Sequence, residues 1–185
     1  MTGVQTCALP IFIKDIESFR YVTLLFLLAR GDLNIISVWH PTFLTILFDQ
    51  LMDDFSALLT DINNHDINPP KLLDSTLKKR LIQQLKISPD RIHELNQLEG
   101  LNIGSIWPAL SLVSCWSDGS STLFLKSLKQ KYLHQIEIQG KGLIATEGLI
   151  SFPLFNYEWP ALSINSHFFE FIPEESSSEI VLAHE

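Results

Sequence analysis

Two short segments of the sequence contain the residue types best suited to binding a nucleotide and a metal ion. In residues 140–148, the hydroxyl of Thr146 stands beside the carboxylate of Glu147, and such a pair can bind a phosphate oxygen and Mg²⁺ respectively. In residues 117–121, Gly119 allows the backbone to approach a flat ligand, and its serine neighbours can offer hydroxyls. Each pattern also fits a plain turn or a helix cap, so neither identifies a site alone.

The 117–121 segment and the Thr146-Glu147 pair each follow an apolar run that predicts a buried strand. Residues 109–115 form one compact apolar run and residues 143–145 a second. Between them the pattern predicts a helix at 122–131 and another strand at 134–138. This order of strand, helix and strand predicts an α/β fold with a mostly parallel sheet and packing helices. Because open α/β sheets bind ligands outside the carboxyl ends of their strands, we expect both segments at one edge of the sheet.

The rest of the sequence predicts more helices around one additional strand, followed by a strand-rich C-terminal third. The predicted elements are helices at 16–29, 42–59, 71–86 and 88–98, a strand at 33–39, a loop at 61–70, and strand-like runs at 149–155 and 162–172. Pro70 is expected to start the third helix, and Ser88 to cap the fourth. Residues 53–104 are interpreted as a helical insertion.

Charge and hydropathy exclude two classes of partner. The chain has 185 residues and a formal net charge of -8, which repels phosphate backbones, so we expect no nucleic-acid partner. The most apolar stretch, residues 21–29, is too short to span a bilayer, so we expect no membrane insertion.

The first eleven residues resemble the translation of a sequencing adapter, and such scars are set aside in reasoning about a fold. The native sequence is then expected at residues 12–185. Setting the segment aside removes Cys7 and leaves Cys115 as the only cysteine. A chain with one cysteine suits a reducing compartment, and we expect a cytoplasmic location.

Six segments, in this order, resemble bacterial members of the Gretchen Hagen family, the auxin-responsive acyl-acid amido synthetases. They are Phe19-Arg20-Tyr21 with Leu24-Leu25-Phe26, and residues 36–44 (ISVWHPTFL), 106–110 (IWPAL), 115–119 (CWSDG), 141–147 (KGLIATE) and 167–173 (HFFEFIP). This family belongs to the adenylate-forming superfamily of acyl-CoA synthetases, peptide-synthetase adenylation domains and luciferases. The resemblance implies that the chain is part of the large N-terminal domain of such an enzyme, truncated at both ends.

The resemblance implies a two-step reaction that uses ATP and Mg²⁺. A carboxylic acid attacks the α-phosphate of ATP to give an acyl-adenylate and pyrophosphate, and the amine of an amino acid then displaces AMP. Residues that match the family's nucleotide-binding motifs are Thr146 for the α-phosphate and Glu147 for Mg²⁺, with Ala145 beside them as a further nucleotide-binding residue. The loop of Asp118, Gly119 and Ser120 is implied to lie along the adenine. Residues that match a segment near the acyl pocket are Trp39, His40 and Pro41.

Some of these residues also fit structural roles. Trp39 also fits plain packing in the core. His40 and His167 fit structural histidines better than catalytic bases, because no partner or metal-ligand spacing supports either as a base.

The sequence departs from the superfamily pattern in ways that leave alternatives open. Leu143-Ile144 stands where many members have Tyr-Gly before the Thr-Glu pair, so an aromatic contact to adenine must come from elsewhere. The phosphate-binding loop is expected upstream of residue 12 and the ribose-binding motif downstream of residue 185, so we expect this fragment alone to be inactive. Two alternatives remain: an acyl-CoA ligase of the same superfamily, and a homologue that binds an acid or a nucleotide without turnover.

Overall fold

A three-stranded parallel sheet lies at the centre of the computed structural model, which describes residues 9–154, 157, 159–166, 168–173 and 180–182. Its strands, in the order β1-β2-β3, are β1 (Ile35–Ser37), β2 (Leu112–Ser114) and β3 (Glu137–Gln139). Ile36 pairs with Val113, and Val113 pairs with Ile138, all in parallel register. The predicted α/β fold with a parallel sheet is confirmed.

Three helices share one hydrophobic core with the sheet: α1 (Ile16–Leu28), α2 (Pro41–Asn64) and α6 (Ser121–Tyr132). Helix α2 contacts both α1 and α6. Leu25 of α1, Phe48 of α2, Leu128 of α6 and Val113 of β2 are all fully buried in this core. Removing each such side chain from water stabilises the fold by about 1.5–3 kcal/mol.

Helix α2 runs further than its apolar pattern predicts. The loop predicted at 61–70 is wrong in its first part, because residues 61–64 belong to the helix. Asp61 is buried there and accepts hydrogen bonds from the Tyr21 hydroxyl (2.9 Å) and the Asn68 backbone N–H (2.6 Å). The carboxylate therefore holds the last turn of α2 against α1 and against the loop that follows, which periodicity alone does not reveal.

Three shorter helices complete the crossover from β1 to β2: α3 (Ser75–Gln84), α4 (Pro89–Asn96) and α5 (Ile103–Ile106). The predicted start of α3 at Pro70 is wrong, because Asp74 caps this helix by accepting from the Thr76 N–H (2.9 Å). Ser88 caps α4 as predicted, accepting from the Arg91 N–H (3.2 Å). The sequence pattern does not predict α5, since a single turn is too short to display a helical period.

The helical stretch interpreted as an insertion has no visible boundary at its start. Residue 53 lies inside the continuous helix α2, while α3, α4 and α5 all fall within residues 53–104. The limits of the insertion stay an interpretation of the sequence.

The C-terminal third consists of short antiparallel strand pairs. They are β4 (Ile144–Ala145) with β5 (Gly148–Leu149), β6 (Ser151–Phe152) with β7 (Ala161–Leu162), and β8 (Glu170–Phe171) with β9 (Val181–Leu182). The predicted strand-rich third is confirmed. The expectation that residues 143–145 continue the parallel sheet is wrong, because β4 pairs only with its neighbour in sequence. The predicted strand 149–155 ends at Phe155, which lies outside the described residues.

The N-terminal residues are described only from Leu9 onward. Leu9–Phe12 form a short 3-10 helix that contacts α1 and α3, whereas residues 1–8, with Cys7, lie outside the described part of the chain. The interpretation of residues 1–11 as an adapter therefore stays a prediction. Cys115 is buried and free. Among the described helices, none has the length and hydropathy needed to cross a membrane.

A buried arginine joins α4 to the ends of two other helices. The Arg91 side chain is 5% exposed, and its guanidinium donates from Nε to the Leu28 carbonyl (2.9 Å) and from Nη2 to the Ile106 carbonyl (2.7 Å). The last carbonyls of a helix have no partner within the helix, and burial without one is costly. Arg91 satisfies one such carbonyl of α1 and one of α5.

We predict that Arg91→Ala destabilises the fold by about 2–4 kcal/mol, because two buried carbonyls lose charge-assisted donors. The measurement is urea unfolding followed by tryptophan fluorescence. Arg80→Ala is the matched control, since Arg80 is exposed on α3 and its loss should change the free energy of unfolding by less than about 0.5 kcal/mol. Equal effects of the two substitutions would contradict this role for Arg91.

Asp15 caps α1 and forms an ion pair with Lys71, a residue distant in the sequence. Lys71 Nζ lies 2.5 Å from the carboxylate, and Ser18 donates to it from the backbone N–H (3.0 Å) and the hydroxyl (2.8 Å). The hydrogen bond from Lys71, followed by those from Ser18, lowers the pKa of Asp15 from 3.8 to about 2.

This shift predicts a pH-dependent contribution to stability. Because the pKa is lower in the folded state, the ionised carboxylate stabilises the fold above about pH 4, and this contribution is lost as the pH falls from about 4 to about 2. Asp15→Asn keeps an acceptor for the cap but removes the negative charge. Its urea midpoint should therefore lie below that of the wild type at pH 7 and approach the wild-type value as the pH falls from about 4 to about 2. Lys71→Met should show the same convergence. A difference that stays constant down to pH 2 would refute the linkage.

Candidate functional site

The segments that follow the three parallel strands stay side by side at the carboxyl edge of the sheet. The Val38 N–H donates to the Ser114 carbonyl (2.9 Å), and the Trp116 N–H donates to the Trp39 carbonyl (2.8 Å). On the other side of β2, the Cys115 N–H donates to the Gln139 carbonyl (3.1 Å). These bonds extend the ladder past the ends of the strands, so the loops after β1, β2 and β3 begin next to one another.

Aromatic rings gather at this edge and form what we call the strand-end aromatic cluster, made of Trp39, His40, Trp116 and Phe124. The centroids of Trp39 and Trp116 are 5.6 Å apart, and the His40 ring lies 5.3 Å from Phe124 and 6.5 Å from Trp116. Trp39 is 57% exposed, Phe124 47% and Trp116 39%. Plain core packing therefore does not account for Trp39, whose ring is open to a ligand.

His40 and Pro41 have structural tasks at the start of α2. His40 is the N-cap, since the Thr42 N–H donates to its Nδ1 (3.3 Å) and the Thr42 hydroxyl lies 2.8 Å from the same atom. Pro41 is buried at the first helical position, where its fixed φ suits the helix. Of the three residues predicted to lie near an acyl pocket, Trp39 thus presents the most open surface.

The loop from Ser117 to Ser120 connects β2 to α6. Gly119 has a φ of 59°, a left-handed conformation that favours glycine. Ser120 occupies the N-cap position of α6 but makes no side-chain cap hydrogen bond. The helix start is instead joined to the loop by the Thr122 hydroxyl, which donates to the Ser117 carbonyl (2.9 Å). Helix capping by Ser120 is therefore not the purpose of this loop.

A cavity of about 420 Å³ lies beside this loop. Its walls include Ser117 and Asp118 from the loop, Gly140 from the end of β3, and Tyr157 and Trp159 from the later turn-rich segment. A Cβ at residue 140 would lie 2.3 Å from Ser117 Oγ, so glycine leaves room for the loop. No sequence motif assigns these two aromatic residues to a site, although their position between Pro153 and Pro160 indicates an exposed turn.

Thr146 and Glu147 form the two-residue tip of the hairpin between β4 and β5, where Ala145 pairs with Gly148. Both tip residues are exposed. The expectation that they follow a buried parallel strand is wrong, because β4 is a half-exposed strand of an antiparallel pair. Within the described residues, no hydrogen bond or ion pair joins this tip to Asp118 or to the strand-end aromatic cluster.

The hairpin follows Gly142, a position at which a side chain would clash with the backbone of Ser151. Gly142 has a φ of 67°, and a Cβ there would lie 2.3 Å from the Ser151 carbonyl oxygen. The Leu143 N–H donates to Ser151 Oγ (3.0 Å), and the Ile150 N–H donates to the Leu143 carbonyl (2.9 Å). Close packing at Gly142 therefore sets the direction in which the Thr146-Glu147 tip leaves the end of β3.

Lys141 is a further charged residue at this edge, which no sequence motif assigns to the site. Its Nζ donates to Ser37 Oγ (2.8 Å) and lies 5.8 Å from the centroid of the Trp39 ring. Burial raises the pKa of the Cys115 thiol, and the charge of Lys141 opposes that rise. The thiol is thus kept neutral, as expected of a structural cysteine rather than a nucleophile.

The described residues contain no group of three or more His, Cys, Asp or Glu side chains placed to hold a metal ion. Mg²⁺ is commonly held by one or two carboxylates together with substrate phosphates and water. The exposed carboxylate of Glu147 fits that mode of binding, in which a nucleotide supplies most of the ligands.

A larger cavity of about 770 Å³ lies away from this edge, among α2, α5, the end of α6 and the residues before β3. Three of its polar groups pair with one another, since Lys131 Nζ lies 2.7 Å from Asp49 and the Tyr132 hydroxyl donates to the same carboxylate. It is not at the carboxyl ends of the strands, so it is not the candidate site.

Comparison with known proteins points to one family. The profile of the GH3 family N-terminal domain matches residues 3–138. Two similar solved structures are described as "GH3.15 acyl acid amido synthetase" (TM-score 0.63, 14% identity) and "AtGH3.15 acyl acid amido synthetase in complex with 2,4-DB" (TM-score 0.58, 14% identity). No curated protein matches the chain by sequence.

The matches cover most of this chain but a minor part of the solved structures. They include 77% and 75% of this chain, and 27% and 25% of the two structures. The family profile begins within residues 1–11 and ends before the Thr146-Glu147 tip. At this identity the solved structures establish the fold alone, an α/β fold that matches about a quarter of each of them.

We predict that Gly142→Ala destabilises the hairpin more than Gly119→Ala does. Both residues have a positive φ, which costs a residue with a Cβ about 1–2 kcal/mol, but a Cβ at residue 119 has nothing within 4 Å. The clash with Ser151 should add about 1–3 kcal/mol at residue 142. Urea unfolding measures both variants, with Gly100→Ala as a control in open space. Equal losses at residues 142 and 119 would mean that the close contact has no energetic weight.

Proposed function

Because the chain belongs to the GH3 family, whose N-terminal domain profile matches residues 3–138, we propose that it is part of an ATP- and Mg²⁺-dependent ligase. This enzyme activates a carboxylic acid as its acyl-adenylate and transfers the acyl group to the amine of an amino acid. The two similar solved structures are described as acyl acid amido synthetases, which supports this reaction class. We further infer a bacterial-type member with a cytoplasmic location.

The observation that carries the proposal is the meeting of an open aromatic surface and a glycine-containing loop at one carboxyl edge. The strand-end aromatic cluster offers an apolar wall for the acyl part, and the Ser117–Ser120 loop leads into α6 without a side-chain cap. Backbone N–H groups at the start of a helix favour anions. The adjoining cavity, with Trp159 in its wall, offers an aromatic face in place of the superfamily tyrosine that this sequence lacks.

In this proposal the residues of the Thr146-Glu147 tip and of the Asp118 loop act on stated groups. Thr146 would donate a hydrogen bond to the α-phosphate, Glu147 would hold Mg²⁺, and the loop of Asp118, Gly119 and Ser120 would lie along the adenine. Mg²⁺ held by Glu147 would supply charge neutralisation at the phosphate oxygens. A fixed hydroxyl beside the reacting phosphate stabilises the charge that develops in the transition state.

Exchange of labelled pyrophosphate into ATP, in the presence of candidate acids, tests the first step with the full-length protein. Acid-dependent exchange supports the proposal, and its absence with every acid supports a binding homologue without turnover. The acceptor is then tested by offering amino acids or coenzyme A to the same enzyme. Formation of a thioester without an amide would assign an acyl-CoA ligase instead.

We predict that Glu147→Gln in the full-length protein lowers the rate of acid-dependent pyrophosphate exchange by about 10²-fold, the usual effect of losing one electrostatic stabiliser. The loss should be largest at limiting Mg²⁺ and smaller at high Mg²⁺, because the amide weakens metal binding. Glu99→Gln is the matched control, since Glu99 lies exposed between α4 and α5 and its substitution should leave the rate unchanged. A rate for Glu147→Gln equal to wild type at limiting Mg²⁺ would rule out the metal role.

A further inference from the structure

The side chain of Lys141 spans the carboxyl edge of the sheet. Lys141 follows β3, one edge strand, and its Nζ donates to Ser37 Oγ in β1, the other edge strand (2.8 Å). It therefore passes over the end of the central strand β2, where it lies near enough to Cys115 to influence the pKa of that thiol. This is the position at which the loops after all three strands meet.

The cation at this position is not neutralised by the described part of the chain. Its contacts there are a neutral hydroxyl and the Trp39 ring, at 5.8 Å from Nζ to the ring centroid. Across the described residues, no carboxylate lies within ion-pair distance of Lys141 Nζ. Lysines that do form an ion pair, such as Lys71 and Lys131, lie away from this edge. An ammonium group has three donors, so the bond to Ser37 leaves Lys141 with donors for a ligand.

The surroundings of the cation select the kind of anion it would take. The Trp39 and Trp116 rings lie beside it, tilted by 55° with their centroids 5.6 Å apart, and both rings are exposed. An exposed apolar surface next to a single charge suits a ligand with a flat apolar body and one anionic end. A carboxylate on an aromatic or other flat apolar body has this shape, whereas a triphosphate lacks the apolar part.

We propose that Lys141 binds the carboxylate of the acid substrate and that Trp39 and Trp116 contact its apolar body. This inference rests on the proposed function for the identity of the ligand as the acid to be activated. It makes Lys141 a substrate-binding residue that selects acids with a flat apolar body, with Ser37 holding the ammonium over the cluster.

Binding of a carboxylate and of its neutral amide by the full-length protein, without ATP, tests this inference separately from turnover. The probes are 3-phenylpropanoate and 3-phenylpropanamide, titrated by isothermal calorimetry and by tryptophan fluorescence. Wild type should bind the carboxylate at least about 10-fold more tightly than the amide, the effect of one charge-assisted hydrogen bond. Lys141→Ala should abolish that preference by weakening the carboxylate about 10- to 100-fold while binding of the amide stays unchanged.

Two further variants keep the test decisive. Lys141→Arg retains the charge and should retain most of the preference for the carboxylate, whereas Trp39→Leu should weaken the acid and the amide by the same factor. Lys79→Ala, which removes an equal charge from an exposed position on α3, should behave like wild type. Urea midpoints within error of wild type establish that each variant is folded.

Three outcomes would overturn the inference: a wild type that does not bind 3-phenylpropanoate or does not distinguish it from the amide, a Lys141→Ala variant that still prefers the carboxylate, or a loss confined to ATP binding. The last result would assign Lys141 to a phosphate. Failure of the proposed function gives a different result. In that case the protein shows no pyrophosphate exchange but still binds the carboxylate in a Lys141-dependent way, so the binding role of Lys141 stands and only the proposed reaction is rejected.

Discussion

The structure depends on how the buried end of α1 satisfies its last carbonyl groups. Trp107 donates from its indole N–H to the Leu27 carbonyl (3.1 Å), and Arg91 donates to the Leu28 carbonyl. A buried Leu28 carbonyl without a donor would cost about 1–3 kcal/mol, whereas the Leu27 carbonyl also accepts from the Arg30 backbone N–H (3.0 Å). Together the two side chains bind the crossover helices to α1. The backbone N–H of Ser111, just before β2, then donates to the Asn34 carbonyl just before β1 (3.0 Å). The constraint at the end of α1 therefore places β2 beside β1 in register.

The candidate site follows from that placement. Once β1 and β2 are aligned, Trp39 and Trp116 emerge next to each other, and the return of α6 into β3 brings Lys141 to the same edge. A rigid sheet beneath exposed loops is the usual arrangement for binding sites, because the scaffold sets positions that the loops alone cannot maintain. Other residues at this edge stabilise the fold: His40 caps α2, and Pro41 is buried at its first position.

The Thr146-Glu147 tip stands apart from this rigid edge. It is carried by a two-strand hairpin whose direction depends on close packing between Gly142 and Ser151. Such a short antiparallel pair buries little apolar surface and gains most of its order from the chain it packs against. Its exposed hydroxyl and carboxylate are suited to meeting a nucleotide phosphate and Mg²⁺ held mainly by other groups.

The sequence by itself determined the elements whose signals are local. Helical periodicity predicted α1, α4 and α6, the serine and proline at residues 88 and 89 predicted a cap, and strand, helix and strand order predicted the parallel sheet. The ordered motifs also led to the family, as the profile match over residues 3–138 confirms. Only the tertiary structure decided the rest: the longer α2 depends on the distant Tyr21, β4 pairs with its sequence neighbour instead of the sheet, and Lys141 meets Ser37 across three strands. These outcomes depend on contacts between residues far apart in the chain, which neither periodicity nor spacing encodes.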